Sequence, residues 1–179
     1  MADTANEKEQ SAQEAYDSRI VSIRRTTKVR DGGRDFSFSA LAVVGDGKGR
    51  IGYGCGKGKE VVSAVQKAVD KARRDMKEIA LRNDTLQYPI TEYFGSTKVI
   101  MLPAVTGTGI IAGGAMRPIF EVLGVRNVIA KCIGSSNPIN VVRATLRGLS
   151  EMKSPAQIAM KRGKTVKEIL GIDQHDSKK

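Results

Sequence analysis

The sequence has no tryptophan, a single histidine, two cysteines and only eight phenylalanines and tyrosines among 179 residues. Each scarcity closes off a class of chemistry. His175, alone in a charged C-terminal stretch, cannot build a histidine-based catalytic centre or a histidine-rich metal site. Cys55 and Cys132 lie far apart and neither belongs to a Cys-x-x-Cys pair, which suits a reducing cytosol and supplies no zinc site. Platforms that stack unpaired bases need aromatics, so the reading of single strands is disfavoured. No apolar run approaches the roughly 20 residues of a membrane-spanning helix. The opening MADTANEKEQSAQEAYDSR is polar and lacks the apolar centre of a secretory signal.

What the sequence has in excess is positive charge: 30 Lys and Arg against 19 Asp and Glu, a net of +11. The excess is uneven. Residues 1–19 carry −3, residues 20–82 carry +8 and residues 83–179 carry +6. An imbalance of this size on a small chain favours a polyanionic partner through counterion release and long-range attraction. The plain alternative is a soluble basic protein with no specific ligand.

Periodicity and turn signals divide the chain. Residues 1–18 read as a disordered acidic leader and 172–179 as a flexible tail. Between them lie a first domain over 19–82 and a second over 83–171, an α+β architecture of two layers each. The first domain reads β-β-β-α. Ile20–Ile23 opens a strand, Phe36, Phe38 and Ala40 alternate along a second, and Arg50–Gly54 forms a third across the Asp46-Gly47-Lys48-Gly49 turn. A helix is expected from about Glu60 to Leu81, with Val61, Val65, Val69, Ala72, Met76 and Ile79 as its apolar stripe. Asn83-Asp84-Thr85 marks the junction. Strands are then expected over 86–94, 98–103 and 125–132, with a glycine-rich loop Gly107–Gly114 leading into a helix around Met116–Leu123. Ser135-Ser136-Asn137 caps a helix to about Leu149 with Pro138 in its first turn, and Ser154-Pro155 and Thr165 open two short helices ending near Met160 and Leu170.

Three segments concentrate charge in patterns that suit phosphate. Arg24, Arg25, Lys28, Arg30 and Arg34 cluster on an expected hairpin loop, where Gly32-Gly33 leaves the backbone free to approach a partner closely. Lys67, Lys71 and Arg74 share one helix face at i, i+4 and i+7, widened by Arg73 and Lys77. Gly52–Lys59 (GYGCGKGK), with Lys57 and Lys59, could receive a phosphate at a strand-to-helix junction. Each has a plain counterpart: a mobile basic loop, a solvated helix face or a structural turn. Nucleotide motifs fail on spacing. Gly56-Lys57-Gly58 lacks the Ser/Thr and upstream glycine of a phosphate loop. Gly163-Lys164-Thr165 has Ile158 where the first glycine belongs, and Gly107–Ala112 has no downstream acid for a ribose. The residues alone lead to a basic two-domain module for structured RNA.

Longer blocks carry a resemblance. GGRDFSFSALAVVGDGKGRIGYGCGKGKEV (32–61), QKAVDKARRDM, GTGIIAGGAMRPIFEVLGVRNVIAK (107–131), SSNPINVVRAT (135–145) and SPAQIAMKRGKTVKEILG (154–171) occur in this order. Together they resemble the bacterial S-five family of small-subunit ribosomal proteins. The resemblance implies a first domain like a double-stranded-RNA-binding domain without its first helix. It also implies a β-α-β-α second domain with a left-handed crossover, against the usual hand. The implied function is structural and non-catalytic, with no cofactor and no metal: a cytoplasmic constituent of the small ribosomal subunit, away from membranes, that supports assembly and translational accuracy. The implied partners are small-subunit ribosomal RNA, proteins S-four and S-eight, and messenger RNA where it enters the subunit.

Residue by residue, the resemblance places Thr26, Thr27, Lys28, Gly32 and Gly33 in a loop against the RNA helix that binds spectinomycin. Arg30 and Asp31 depart from the family's charge pattern there. Gly107, Gly109 and Arg117 fall at a protein interface, and Lys67, Lys71, Arg73 and Arg74 fall inside the matching helix block. Rival readings from other classes are a free-standing RNA chaperone and a small-molecule kinase; the kinase lacks loop serines and any nominated base or metal-binding carboxylate.

Overall fold

The computed structural model describes residues 16–171; most of the expected leader, the expected tail and His175 lie outside them. The first sheet is antiparallel throughout, in the order β1(Asp17–Arg30), β2(Gly33–Gly45), β3(Arg50–Gly58), β4(Lys77–Glu78). Asp17 and Ser18, assigned to the leader by composition, form the first rungs of β1 against Gly45 and Val44. The turn between β2 and β3 follows its sequence signal. Asp46 Oδ1 accepts the backbone N–H groups of Lys48 at 2.8 Å and Arg50 at 2.9 Å, and Gly47 and Gly49 take φ of 66° and 101°.

Helix α1(Val61–Arg74) covers one face of this sheet, but of the stripe expected within it only Ala72 is fully buried. Its fully buried residues are Ala64, Ala68 and Ala72, while Val61 is exposed and Val65 and Val69 are only half-buried. The reason lies in β3, where Gly52, Gly54, Gly56 and Gly58 alternate with Tyr53, Cys55 and Lys57. A Cβ built on Gly52, Gly54 or Gly56 would fall on the backbone carbonyl of Ala72, Ala68 or Ala64 respectively. The helix backbone thus lies almost directly on the strand, and only methyl groups fit between. The helix also ends seven residues earlier than expected. Lys77 and Glu78 instead pair with Ile51 and Arg50 as β4, and Ile79 turns into the core.

Beyond the first sheet, β5(Leu81–Arg82) and β6(Thr85–Leu86) form a small hairpin whose turn holds Asn83 at φ 52°. The second sheet has the order β7(Ile90–Phe94), β8(Thr97–Pro103), β10(Val128–Gly134), β9(Ile110–Ile111). The single strand expected over 86–94 is therefore split, with Pro89, which has no N–H to pair, between its halves. The strand expected from Val125 begins at Val128, because Arg126 and Asn127 donate their N–H groups to the Asp84 carbonyl. Strands β9 and β10 are parallel neighbours joined through α2(Arg117–Leu123). Helix α3(Pro138–Glu151) packs on β7 and β8. Asn137 precedes it as expected but makes no side-chain cap, and its buried Oδ1 has no partner in the described protein. Ser154 and Thr165 do cap α4(Pro155–Arg162) and α5(Val166–Leu170), each through a full capping box.

One core serves both units. Leu41, Val43 and Ile51 of the first sheet join Ile119, Phe120 and Leu123 of α2 and Val99, Met101 and Leu149 in a single buried cluster. Helix α2 thus covers the face of the first sheet that α1 leaves free. Burying a side chain such as Phe120 stabilises by about 1.5–3 kcal/mol.

Candidate nucleic-acid interface

Strand β3 stops opposite Phe38, so β1 and β2 continue past it as a bare two-stranded ribbon. The segment expected as a loop is therefore an arm with ladder pairs from Arg25↔Phe38 to Arg30↔Gly33, about 20 Å long at the usual rise. Only Asp31 and Gly32 form its turn. Gly32 requires the left-handed region at φ 94°; Gly33 does not, and a Cβ on either would meet nothing within 4 Å. The backbone at the tip is therefore open to close approach.

Alternation assigns the arm's side chains to two faces. Thr26, Lys28 and Arg30 share one with Ser37, Asp35 and Gly33. There Thr26 and Ser37 join hydroxyls at 2.8 Å, and Arg30 Nε meets Asp35 Oδ2 at 2.8 Å. Both partners of that ion pair are largely exposed, so it contributes little to stability. Arg25, Thr27, Val29, Arg34 and Phe36 lie on the other face, where the Arg25 guanidinium stands 4.1 Å from the Phe36 ring centroid. An aromatic carrying a guanidinium is a platform the composition alone does not reveal.

The remaining cations follow the same division. Arg24 and Lys57 flank Ser39 on the Lys28 face, whereas α1 stands on the Arg25 face. Along α1, Lys67, Lys71 and Arg74 are exposed in one row, as the spacing predicts, and Lys59 is exposed just before the helix. Arg73 is different: it is half-buried, and its Nε has no partner in the described protein. The structure therefore presents the cations on two sides of one sheet instead of in a single patch. The glycine part of the phosphate-cradle reading of Gly52–Lys59 is corrected. Gly52, Gly54 and Gly56 sit in the strand ladder opposite Val44, Ala42 and Ala40 and against the helix backbone.

The second glycine-rich segment is held differently. Gly107 and Gly109, at φ 95° and 75°, donate their N–H groups to Asn127 Oδ1 at 3.0 and 3.2 Å. Asn127 is 5% exposed, and nothing in the sequence pattern singles it out except that a buried amide must find partners. The loop amides are thus occupied internally instead of forming a phosphate nest. Arg117, on the first turn of α2, is exposed and pairs with Glu121 at 3.1 Å. It lines a polar cleft with Lys48, Asp84 and Arg126, close to Ile110 of β9. No described helix is long and apolar enough to cross a membrane.

Comparison with known proteins gives these features a context. Residues 16–80 match the sequence profile of "Ribosomal protein S5, N-terminal domain", and residues 92–162 that of "Ribosomal protein S5, C-terminal domain". The "Small ribosomal subunit protein uS5" of Nitrosococcus oceani is 61% identical over 153 residues, covering 86% of this chain and 90% of that one. The protein of the same description from Azotobacter vinelandii is 56% identical over 162 residues, covering 90% and 98%. That from Halorhodospira halophila is 55% identical over 163 residues, covering 91% and 98%.

Proposed function

The chain belongs to the bacterial ribosomal protein S5 family, whose members are structural and non-catalytic, and from this premise we propose how it works on the small subunit. The arm and α1 dock on ribosomal RNA. Arg24, Lys28, Arg30 and Lys57 neutralise phosphates on one side of the first sheet, and Arg25, Arg34, Lys59, Lys67, Lys71, Arg73 and Arg74 do so on the other. The protein then lies between RNA segments instead of on one, as suits a component that supports assembly and accuracy. The observation that carries this reading is the bare ribbon beyond β3, which bears cations on both faces and buries none of its tip.

In this reading Thr26, Thr27, Lys28, Gly32 and Gly33 form the drug-site segment of the arm. Gly107, Gly109 and Arg117 form a contact with a neighbouring ribosomal protein. S-four and S-eight are its protein neighbours, and messenger RNA passes nearby in the cytoplasmic particle. The two domains divide at the β5–β6 hairpin, and the β9–α2–β10 crossover is left-handed.

The experiment is sedimentation of the tagged chain from lysate through a sucrose gradient in high salt. Stoichiometric co-migration with the small subunit is expected. Protein left at the top of the gradient would point to the free-standing RNA binder instead.

A further inference from the structure

The loop between β8 and β9 is fixed without packing. No residue from Ala104 to Gly109 is buried, and Val105 is 80% exposed. A segment with so little apolar burial belongs to the least stable part of a fold unless hydrogen bonds define it. Here they converge from the interior. Asn127 Oδ1 accepts the N–H groups of Gly107 and Gly109, Thr85 Oγ1 accepts that of Ala104 at 3.2 Å, and Val128 N–H donates to the Gly109 carbonyl at 3.1 Å. Thr108 N–H closes back on the Val105 carbonyl at 3.2 Å.

Asn127 is itself held from behind. Its N–H donates to the Asp84 carbonyl at 3.0 Å, and its own carbonyl accepts from Thr85 Oγ1 at 2.7 Å. Asp84 and Thr85 belong to the β5–β6 hairpin between the two larger sheets. A hydrogen-bonded chain therefore runs from this hairpin through Asn127 to the loop. The two glycines complete it. Their φ of 95° and 75° lets both N–H groups reach one oxygen, and a Cβ on either would meet nothing within 4 Å. Backbone conformation requires them, not space.

We infer, on the reading above that this loop meets a neighbouring ribosomal protein, that Asn127 and Thr85 are its positioning residues and through it set translational accuracy. Asn127 is 5% exposed and offers a neighbour almost nothing directly. With the amides of Ala104, Gly107, Thr108 and Gly109 all donating inward, the loop leaves Val105 and Thr106 exposed for the contact. Where these two stand is decided by polar groups behind them, because no apolar side chain anchors the segment. Removing an interior acceptor thus alters the contact surface without deleting any atom of it.

The test uses the full chain in cells whose small subunits carry it stoichiometrically, with near-cognate misreading measured by a paired luciferase reporter. Asn127→Ala should raise misreading by about twofold or more, the scale on which residues outside a contact modulate it. Thr85→Val keeps the shape, removes both hydroxyl bonds and should act in the same direction; it carries the test where Asn127→Ala does not enter the particle. Asn127→Asp keeps an acceptor for both glycine amides and should restore the parent level. Val142→Ala, a change at a fully buried position of α3 outside every proposed contact, should leave misreading at the parent level despite its loss of stability. Arg117→Glu, on the contact itself, should raise misreading as well. Three results would overturn the inference and leave the contact reading standing: an equal effect of Val142→Ala, no rescue by Asn127→Asp, or no effect of Asn127→Ala and Thr85→Val where Arg117→Glu has one. No effect of Arg117→Glu would remove the contact reading and this inference with it.

Discussion

Gly47 donates its backbone N–H to the carbonyl of Val122 at 3.0 Å, and Gly49 does the same to Leu123 at 3.2 Å. The hairpin turn of the first sheet therefore satisfies carbonyls at the C-terminal end of α2, groups that a helix leaves without internal partners. The approach leaves no room for side chains. A Cβ on Gly45 would fall on the Val122 carbonyl, and one on Gly124 on that of Gly47.

Gly124→Ala should therefore be costly twice over, through the collision and through φ of 87°. We expect a loss of about 2–4 kcal/mol, from strain and overpacking together. Because the core is shared, both units should lose stability in one urea transition. An unchanged midpoint would mean that the junction relaxes freely.

Gly54→Ala should lower stability by about 1–3 kcal/mol, since its methyl would meet the Ala68 carbonyl and lift α1. Gly33→Ala is the control. It has open space and no positive φ, so its effect should stay within about 0.5 kcal/mol. Equal effects would contradict the close-packed stripe.

Asn127→Ala removes the acceptor shared by Gly107 and Gly109. A cost of about 1–3 kcal/mol is expected, with faster hydrogen exchange at both amides. Affinity of the arm for ribosomal RNA should not change, and a matching loss there would join two sites that the structure keeps apart.

Lys71→Glu with Arg74→Glu should weaken RNA binding and flatten log affinity against log salt by on the order of 1.5, the share of two phosphate contacts. An unchanged slope would remove these side chains from the interface.

Burial holds the Cys132 thiol above its ordinary value of 9.0, so the folded state keeps this proton longer than the unfolded chain. The thiol's contribution is constant at lower pH and is lost as pH rises from about 9 through the folded pKa. Cys132→Ser should abolish that part of the decline in a pH series of melts.

What the sequence disclosed was chiefly local. The Asp46-Gly47 turn, the capping boxes at Ser154 and Thr165, and the cation row on α1 follow from signals within a few residues. The end of α1 was not legible, because Lys77 and Glu78 leave the helix for a strand partner that lies more than twenty residues back in the chain. Its valine stripe misled for a related reason. Periodicity ranks side chains by hydrophobicity, whereas here the closest packing goes to alanine, opposite glycines of another element. The arm's cations were found as a group, but their division between two faces depends on pairing register, and Asn127 acquires its meaning only once the loop folds around it.

Along the seam between β3 and α1 the backbone at Ala64, Ala68 and Ala72 lies against Gly56, Gly54 and Gly52, so no change of rotamer at these six positions can let the helix rise, roll or slide. Lys67, Lys71 and Arg74 then stand on a rod fixed to its bed, about 6 and 4.5 Å apart along its axis. In the proposed RNA contact such a row is a comb of set pitch: the flexible polymer would bring its phosphates to these teeth, and the protein would yield little in return.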